Sequence, residues 1–138
     1  MGSSEKTYDM LKTGILNPHI SSLLSRVRHT NTLVIADRGF PYWPMIETVD
    51  ISLVDDVPTF LQVLAAIRPN FQIGKAWMAR EFLKHNSGKV RDMFAGALRG
   101  IKVRYEPHIE LTRRVPGAIG LIRTGDTIQY ANLILESA

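Results

Sequence analysis

Apolar and polar positions along the chain change period repeatedly, and each change marks an element. From Pro18 to Val27, Ile20, Leu23, Leu24 and Val27 recur at helical spacing, with Asn17 as cap and Pro18 in the first turn. Leu33-Val34-Ile35-Ala36 is the continuous apolar run of a buried strand, and Asp37 stands where that strand opens into a loop. Arg38-Gly39-Phe40-Pro41-Tyr42-Trp43-Pro44 holds two prolines and a glycine, which rule out a regular element, and its three aromatics suit a lid or pocket wall. Val49 to Leu53 predicts a second strand. Asp55-Asp56-Val57-Pro58 then reads as a helix start, with Phe60, Leu61, Leu64 and Ile67 on one face and a stop before Pro69.

Between Phe71 and Arg80 the pattern fits a strand and a helix equally. Ser87 caps a helix carrying Val90, Met93, Phe94, Ala97 and Leu98, which Gly100 ends. Ile101 to Tyr105 alternates as a strand with one wet face, Pro107 to Arg114 makes a turn or short helix, and Ala118–Ile122 and Leu133–Leu135 are two further strands. Helices and strands alternate without a repeat or linker. The expectation is a single α/β domain, a three-layer αβα arrangement on a mixed, mostly parallel sheet, spanning residues 10–138 behind a flexible tail at residues 1–9.

Composition narrows the class. With 138 residues, 45% hydrophobic and 22% charged, the chain is ordinary globular material. It has no cysteine, so a disulfide scaffold and a thiolate zinc site are excluded, and a reducing cytoplasm is the expected location. No apolar run approaches about 18 residues, so no membrane partner is expected. The charge of +4 comes from scattered basic residues without interleaved stacking aromatics, which ranks a nucleic-acid-binding module last and leaves nucleic acid off the list of expected partners.

Few residues carry chemistry. In open α/β sheets ligands bind at the carboxyl ends of strands, which is where Asp37 falls. Asp37 is either a ligand for sugar-like hydroxyls or a turn cap. His29, at the other end of the same apolar run, is either an acid–base imidazole or a surface histidine. His108 lies just past the strand that ends near Tyr105. His19 and His85, at a helix start and in a loop, are less informative. No histidine pair has a spacing such as His-Glu-x-x-His, so no metal is expected. The connection from Arg123 to Asn132 is longer than the roughly two to five residues a hairpin needs. It gathers glycine, hydroxyl, phenol and amide, and Asn132 both donates and accepts, as a hydroxyl-rich ligand requires. Tyr130 adds a hydroxyl and a ring face.

At these residues the chain resembles the bacterial D-ribose pyranase and L-fucose mutarotase family. The likeness runs from Met10 through Lys12-Thr13-Gly14-Ile15-Leu16-Asn17-Pro18-His19-Ile20-Ser21, Arg28-His29-Thr30-Asn31-Thr32-Leu33-Val34 and Asp37-Arg38-Gly39-Phe40-Pro41. It continues in Ile122-Arg123-Thr124-Gly125-Asp126 and Tyr130-Ala131-Asn132-Leu133-Ile134-Leu135. Val57-Pro58-Thr59-Phe60-Leu61-Gln62-Val63-Leu64 is similar to the ribose branch. The resemblance implies ring-form or anomer exchange in a free monosaccharide, without cofactor or metal. It implies that His29 is the acid–base group and that Asp37, His108, Tyr130, Ala131 and Asn132 bind the sugar. It also implies a ring-like homo-oligomer, up to a decamer. The chain departs from the family pattern at Arg28, where glycine is usual, at Asn31, where an acid is common, and in the bulk of the 37–43 loop. The runner-up reading is a non-catalytic sugar-binding or transport-associated regulatory protein on the same fold.

One geometric expectation follows. If residues 32–36 are extended, His29 and Asp37 stand roughly 17 Å or more apart. A single monosaccharide cannot touch both across that span, so either the ends curl together or the site is shared between subunits. The ring-like assembly that the resemblance implies favours the second, with the two residues drawn from different chains.

Overall fold

The computed structural model describes residues 14–138, so the expected tail, the domain start at residue 10 and the Lys12-Thr13 part of the first motif lie outside the described residues. In chain order the elements are α1 (Pro18–Ser25), β1 (Thr32–Ala36), β2 (Glu47–Asp50), α2 (Phe60–Ile67), β3 (Ile73–Ala79), α3 (Arg80–His85), α4 (Gly88–Ala97), β4 (Lys102–Glu106), α5 (His108–Arg114), β5 (Gly120–Arg123) and β6 (Leu133–Ser137). Short 3-10 turns follow α2 and α5.

The strands form one sheet in the order β2-β5-β1-β6-β3-β4. The pairs β2/β5, β1/β5 and β3/β4 are parallel, whereas β6 runs antiparallel to both β1 and β3. Five strands therefore share a direction and one central strand opposes them. The expected mixed, mostly parallel sheet is what forms.

The two faces are covered unequally. On one, Ile20 and Leu23 of α1, Phe60 and Leu64 of α2, Phe82 of α3 and Phe94 of α4 pack with Leu33, Ile35, Met78, Leu133 and Leu135 from the strands. On the other, Val34, Ala36, Trp77, Leu121 and Ile134 meet Leu111 of α5, then Val115, Ala118 and Phe40. The near-continuous apolar strands β1 and β5 follow from burial on both faces.

The structure decides or corrects several expectations. The ambiguous stretch is strand β3 followed at once by α3. Lys75 and Trp77 fall on one face and Ala76 and Met78 on the other, with the ammonium of Lys75 5.3 Å from the indole centroid. Asp55–Pro58 is not a helix start. Thr59 is the cap of α2, and its hydroxyl and the Gln62 side chain make a capping box. The acids before it sit in a tight turn closed by Leu53 N–H to Val57 O at 2.9 Å, with Asp56 at φ 62°. The second strand stops at Asp50, whose carboxylate accepts the Ser52 N–H at 3.0 Å and turns the chain away. The first helix ends at Ser25, two residues short of Val27.

That 53–57 turn is sealed onto the residues after β5. Gly125 N–H donates to Pro58 O at 2.8 Å, and Asp56 N–H donates to Gly125 O at 2.6 Å. A Cβ on Gly125 would lie 2.5 Å from Val54 O and 2.8 Å from Val57 O, both of them backbone atoms. Gly125→Ala therefore has to part the two segments. It is expected to lower unfolding stability by about 2 kcal/mol, read by urea denaturation; an unchanged midpoint would show that the seal is dispensable.

Candidate active site

The site begins at the carboxyl end of β1. The carbonyl of Ala36 accepts both the N–H and the hydroxyl of Thr124, at 2.9 and 2.8 Å. The β1/β5 ladder closes there, and Asp37 emerges at the sheet edge. Asp37 N–H donates to Asn132 Oδ1 at 2.8 Å, and Asp37 Oδ1 accepts the Gly39 N–H at 3.0 Å. Asn132, 2% exposed, lies just before β6. Because β6 runs backwards, its first residues meet the last residues of β1. Burial pushes the Asp37 carboxyl up from the usual value, and hydrogen bonds from Gly39, Asn132 and Phe40 only partly offset this. A carboxyl so perturbed at the carboxyl end of a strand marks a candidate functional site.

The loop after Asp37 is held from beneath. Arg123, 9% exposed, donates to the carbonyls of Phe40 and Arg38 and pairs with Asp50 at 3.4 Å. Asp126, 2% exposed, accepts the Phe60 N–H at the start of α2 and the Ile128 N–H, each at 2.7 Å. The Asp126 carbonyl also accepts the Arg38 N–H at 3.1 Å. The long polar connection thus divides. Its first part, Arg123 to Asp126, is framework, and its second part carries Gln129, Tyr130 and Asn132, which line a cavity.

Asp37, His108, Gln129, Tyr130 and Asn132 line a cavity of about 340 Å³ together with Gly39, Phe40 and Pro41. This lies at the small end of the roughly 300–1,000 Å³ typical of ligand sites. His108 opens α5 after Pro107. Its imidazole meets Phe40 edge-on at 6.2 Å and Tyr130 at 5.2 Å between centroids. Its Nδ1 is buried without a hydrogen-bond partner. Its backbone N–H donates to Glu81 Oε1 at 2.9 Å. The cavity presents a carboxyl, an amide, a phenol and an imidazole around an apolar floor. That donor and acceptor set fits a small polyhydroxylated ligand. Among the described residues no group of three His, Asp or Glu side chains converges as a metal would need.

Four of the six site residues expected from sequence, Asp37, His108, Tyr130 and Asn132, are brought together here. The other two are not. Ala131 has its methyl group in the hydrophobic core, so only its backbone remains for a ligand. His29 is exposed on a turn at the opposite edge of the sheet, where Thr30 N–H donates to Ser137 O at 3.1 Å. That turn is closed by Arg28 N–H to Asn31 Oδ1 at 2.8 Å and Asn31 N–H to Arg28 O at 3.0 Å. Arg28 folds its guanidinium back onto Ser25 O at the end of α1 and Val27 O just after it. Sequence reasoning missed Gln129, although it lies inside the connection already singled out. It also passed over Glu81, and His85, whose ring centroid is 5.5 Å from that of Tyr130.

Fold and cavity together define a small-molecule protein of the hydroxyl-recognising kind, with its site at the carboxyl edge of a mixed α/β sheet. Comparison with known proteins sharpens this. Residues 10–138 match the model of the RbsD / FucU transport protein family, and the chain belongs to that family. It is 36% identical over 128 residues to the D-ribose pyranase of Laribacter hongkongensis, covering 93% of this chain and 97% of that one. With the D-ribose pyranase of Chromobacterium violaceum the identity is 38% over the same shares. The structure of Bacillus subtilis RbsD complexed with D-ribose superposes with a TM-score of 0.86 at 30% identity, over 94% of this chain and 98% of that one. FucU from Bifidobacterium longum, at 23% identity and a TM-score of 0.74 over 88% and 94% of the two chains, shares the fold.

The raised Asp37 pKa carries a consequence for stability. The folded state holds this proton more tightly than the unfolded chain, so stability falls as pH rises above the usual carboxyl value of 3.8. Asp37→Asn removes that loss. Its stability relative to the parent protein is expected to improve between acid and neutral pH, as read by urea denaturation across that range. A difference that stays flat with pH would contradict the assignment.

Proposed function

We propose that this protein catalyses ring-form or anomer interconversion of a free monosaccharide, an isomerase reaction, with D-ribose the best-supported substrate. The observation that carries the reading is the convergence of Asp37, His108, Tyr130 and Asn132 on one cavity. The chain around it is similar to curated D-ribose pyranases over 93% of its residues.

The chemistry asks little of the protein. Ring opening requires a proton delivered to the ring oxygen and one removed from the anomeric hydroxyl, and reclosure reverses both. An imidazole titrating near neutrality serves in either direction. Asp37 and Asn132 anchor sugar hydroxyls, while Tyr130 and His108 give the cavity its wall and further polar contacts. The acid–base group is His29, supplied by a second copy of the chain. Within one chain the rigid strand β1 separates His29 from the cavity, and a span of roughly 17 Å exceeds a monosaccharide. The working form is therefore a homo-oligomer with sites between subunits, and a closed ring of up to ten copies satisfies this. No helix among the described residues is long and apolar enough to cross a membrane, and a cytoplasmic site of action suits the absence of cysteine.

Exchange NMR on D-ribose tests the activity. Pyranose–furanose exchange is expected to accelerate with the parent protein. With His29→Ala that acceleration is expected to fall by roughly 100-fold or more, while sugar binding persists. Binding without acceleration by the parent protein would favour the regulatory reading. The shared site has its own test. His29→Ala and Asp37→Asn subunits, each inactive alone, are expected to regain activity when unfolded together and refolded as a mixture, because some interfaces then pair an intact His29 with an intact Asp37. No recovery in mixed oligomers would place both residues in one chain's site.

A further inference from the structure

The cavity wall depends on a short helix that contributes nothing to its lining. No residue of α3 is among those that line the cavity. Yet α3 and the residue after it contact both residues whose rings form the wall. Glu81 Oε1 accepts the backbone N–H of His108 at 2.9 Å. The His85 ring lies against Tyr130, with centroids 5.5 Å apart and planes tilted by 32°. Asn86 uses its Nδ2 twice, donating to Phe82 O and to Gln129 O at 2.9 Å each.

Helix α3 is itself firmly seated. Phe82 is fully buried and packs on Phe94 of α4, with centroids 4.7 Å apart. Arg91 of α4 donates to Leu83 O at 3.0 Å and to Asn86 O at 2.7 Å. The carbonyls at the end of α3 are thus satisfied by two side chains rather than left to water. One of those side chains, Asn86, also binds the loop that carries Tyr130.

That loop needs holding. Tyr130 has φ 59°, a left-handed conformation that side chains other than glycine, asparagine and aspartate rarely adopt. Such a backbone persists where its surroundings over-determine it, and such positions gather at ligand clamps. Here the residue before Tyr130 is tied by Asn86, and the carbonyl of Tyr130 accepts the Asn132 N–H at 2.9 Å. The phenol rests on His85 as well as on His108.

We propose that α3 and Asn86 form a positioning bracket: His85 and Asn86 fix the Tyr130 ring, and Glu81 fixes His108, so that both rings meet the sugar in one preset arrangement. This rests on the sugar-exchange reading for its readout in rate. His85 and Asn86 are positioning residues that act through Tyr130 and touch no substrate. The aromatic cluster comes from segments far apart in sequence, and the bracket is what brings them into register.

The test uses the full-length protein labelled with fluorotyrosine, with the Tyr130 resonance assigned by its loss in Tyr130→Phe. Asn86→Ala and His85→Ala are each expected to shift or broaden that resonance. Each is expected to lower exchange efficiency on D-ribose by roughly tenfold or more, chiefly through KM. His85→Phe, which keeps a ring, is expected to restore both readings, and Glu81→Gln, which keeps an acceptor, to retain activity that Glu81→Ala loses. If one variant fails to fold, the other still tests the bracket through its own contact with the 129–130 segment. A rate loss with an unmoved Tyr130 resonance would overturn the bracket, as would no loss at all. His85→Phe as impaired as His85→Ala would also overturn it, since packing would then not be the role. Should the parent protein accelerate no sugar, the proposed function fails, while the Tyr130 resonance still reports whether the bracket exists.

Discussion

Because β6 runs against its two neighbours, the residues that precede it arrive at the same sheet edge as the residues that follow β1 and β3. The meeting of Tyr130 and Asn132 with Asp37 depends on this reversal. With six parallel strands, the residues before β6 would lie at the opposite edge, and Tyr130 and Asn132 would be a strand's length from Asp37. In the observed arrangement Asn132 Oδ1 takes the Asp37 N–H directly, a bond between residues 95 apart in sequence. It closes the junction between two strands that point in opposite directions.

The polar groups at that junction are costly to bury, and the fold compensates them one by one. Arg123 satisfies two loop carbonyls and a carboxylate, and Asp126 accepts two backbone donors, one of them the first N–H of α2. A buried charge with such partners contributes less to net stability than to uniqueness of arrangement. The loop after β1 and the start of α2 are locked to the same short segment after β5. Asp37 is the exception, since its hydrogen bonds do not fully offset its burial. A carboxyl with a perturbed pKa in a cleft is a candidate for a binding role.

The parts of this architecture that were legible in the sequence are those fixed by short-range chemistry. Leu33–Ala36 and Leu133–Leu135 read as strands because both faces are buried, and Asn17 and Ser87 read as caps because their side chains accept the N–H groups they precede. Asp55 and Asp56 misled because acids before a proline imitate a first turn, whereas the Thr59 and Gln62 capping box decided the true start. Phe71–Arg80 stayed ambiguous because periodicity cannot separate a fully buried strand from a buried helix. Asp37, His108, Tyr130 and Asn132 were legible from residue type at strand ends and from family likeness. Glu81, His85 and Asn86 were not, because their importance lies in tertiary approach: Asn86 and Gln129 are 43 residues apart, and nothing local to either announces the other.

The position of His29 follows from the same rigidity. Strand β1 is hydrogen-bonded on both sides, and its ends are pinned, by Ser137 backbone groups next to Thr30 and Asn31 and by Asn132 next to Asp37. Neither end can swing toward the other without breaking a ladder in the middle of the sheet. A reaction that needs both ends therefore cannot be completed by motion within one chain. On the proposed reading, a second chain presents its own His29 turn. In that turn Arg28 is already occupied with the carbonyls at the end of α1 and Asn31 with the Arg28 amide. Arg28 and Asn31 are thus spent on shaping the turn, which leaves the His29 imidazole exposed to solvent.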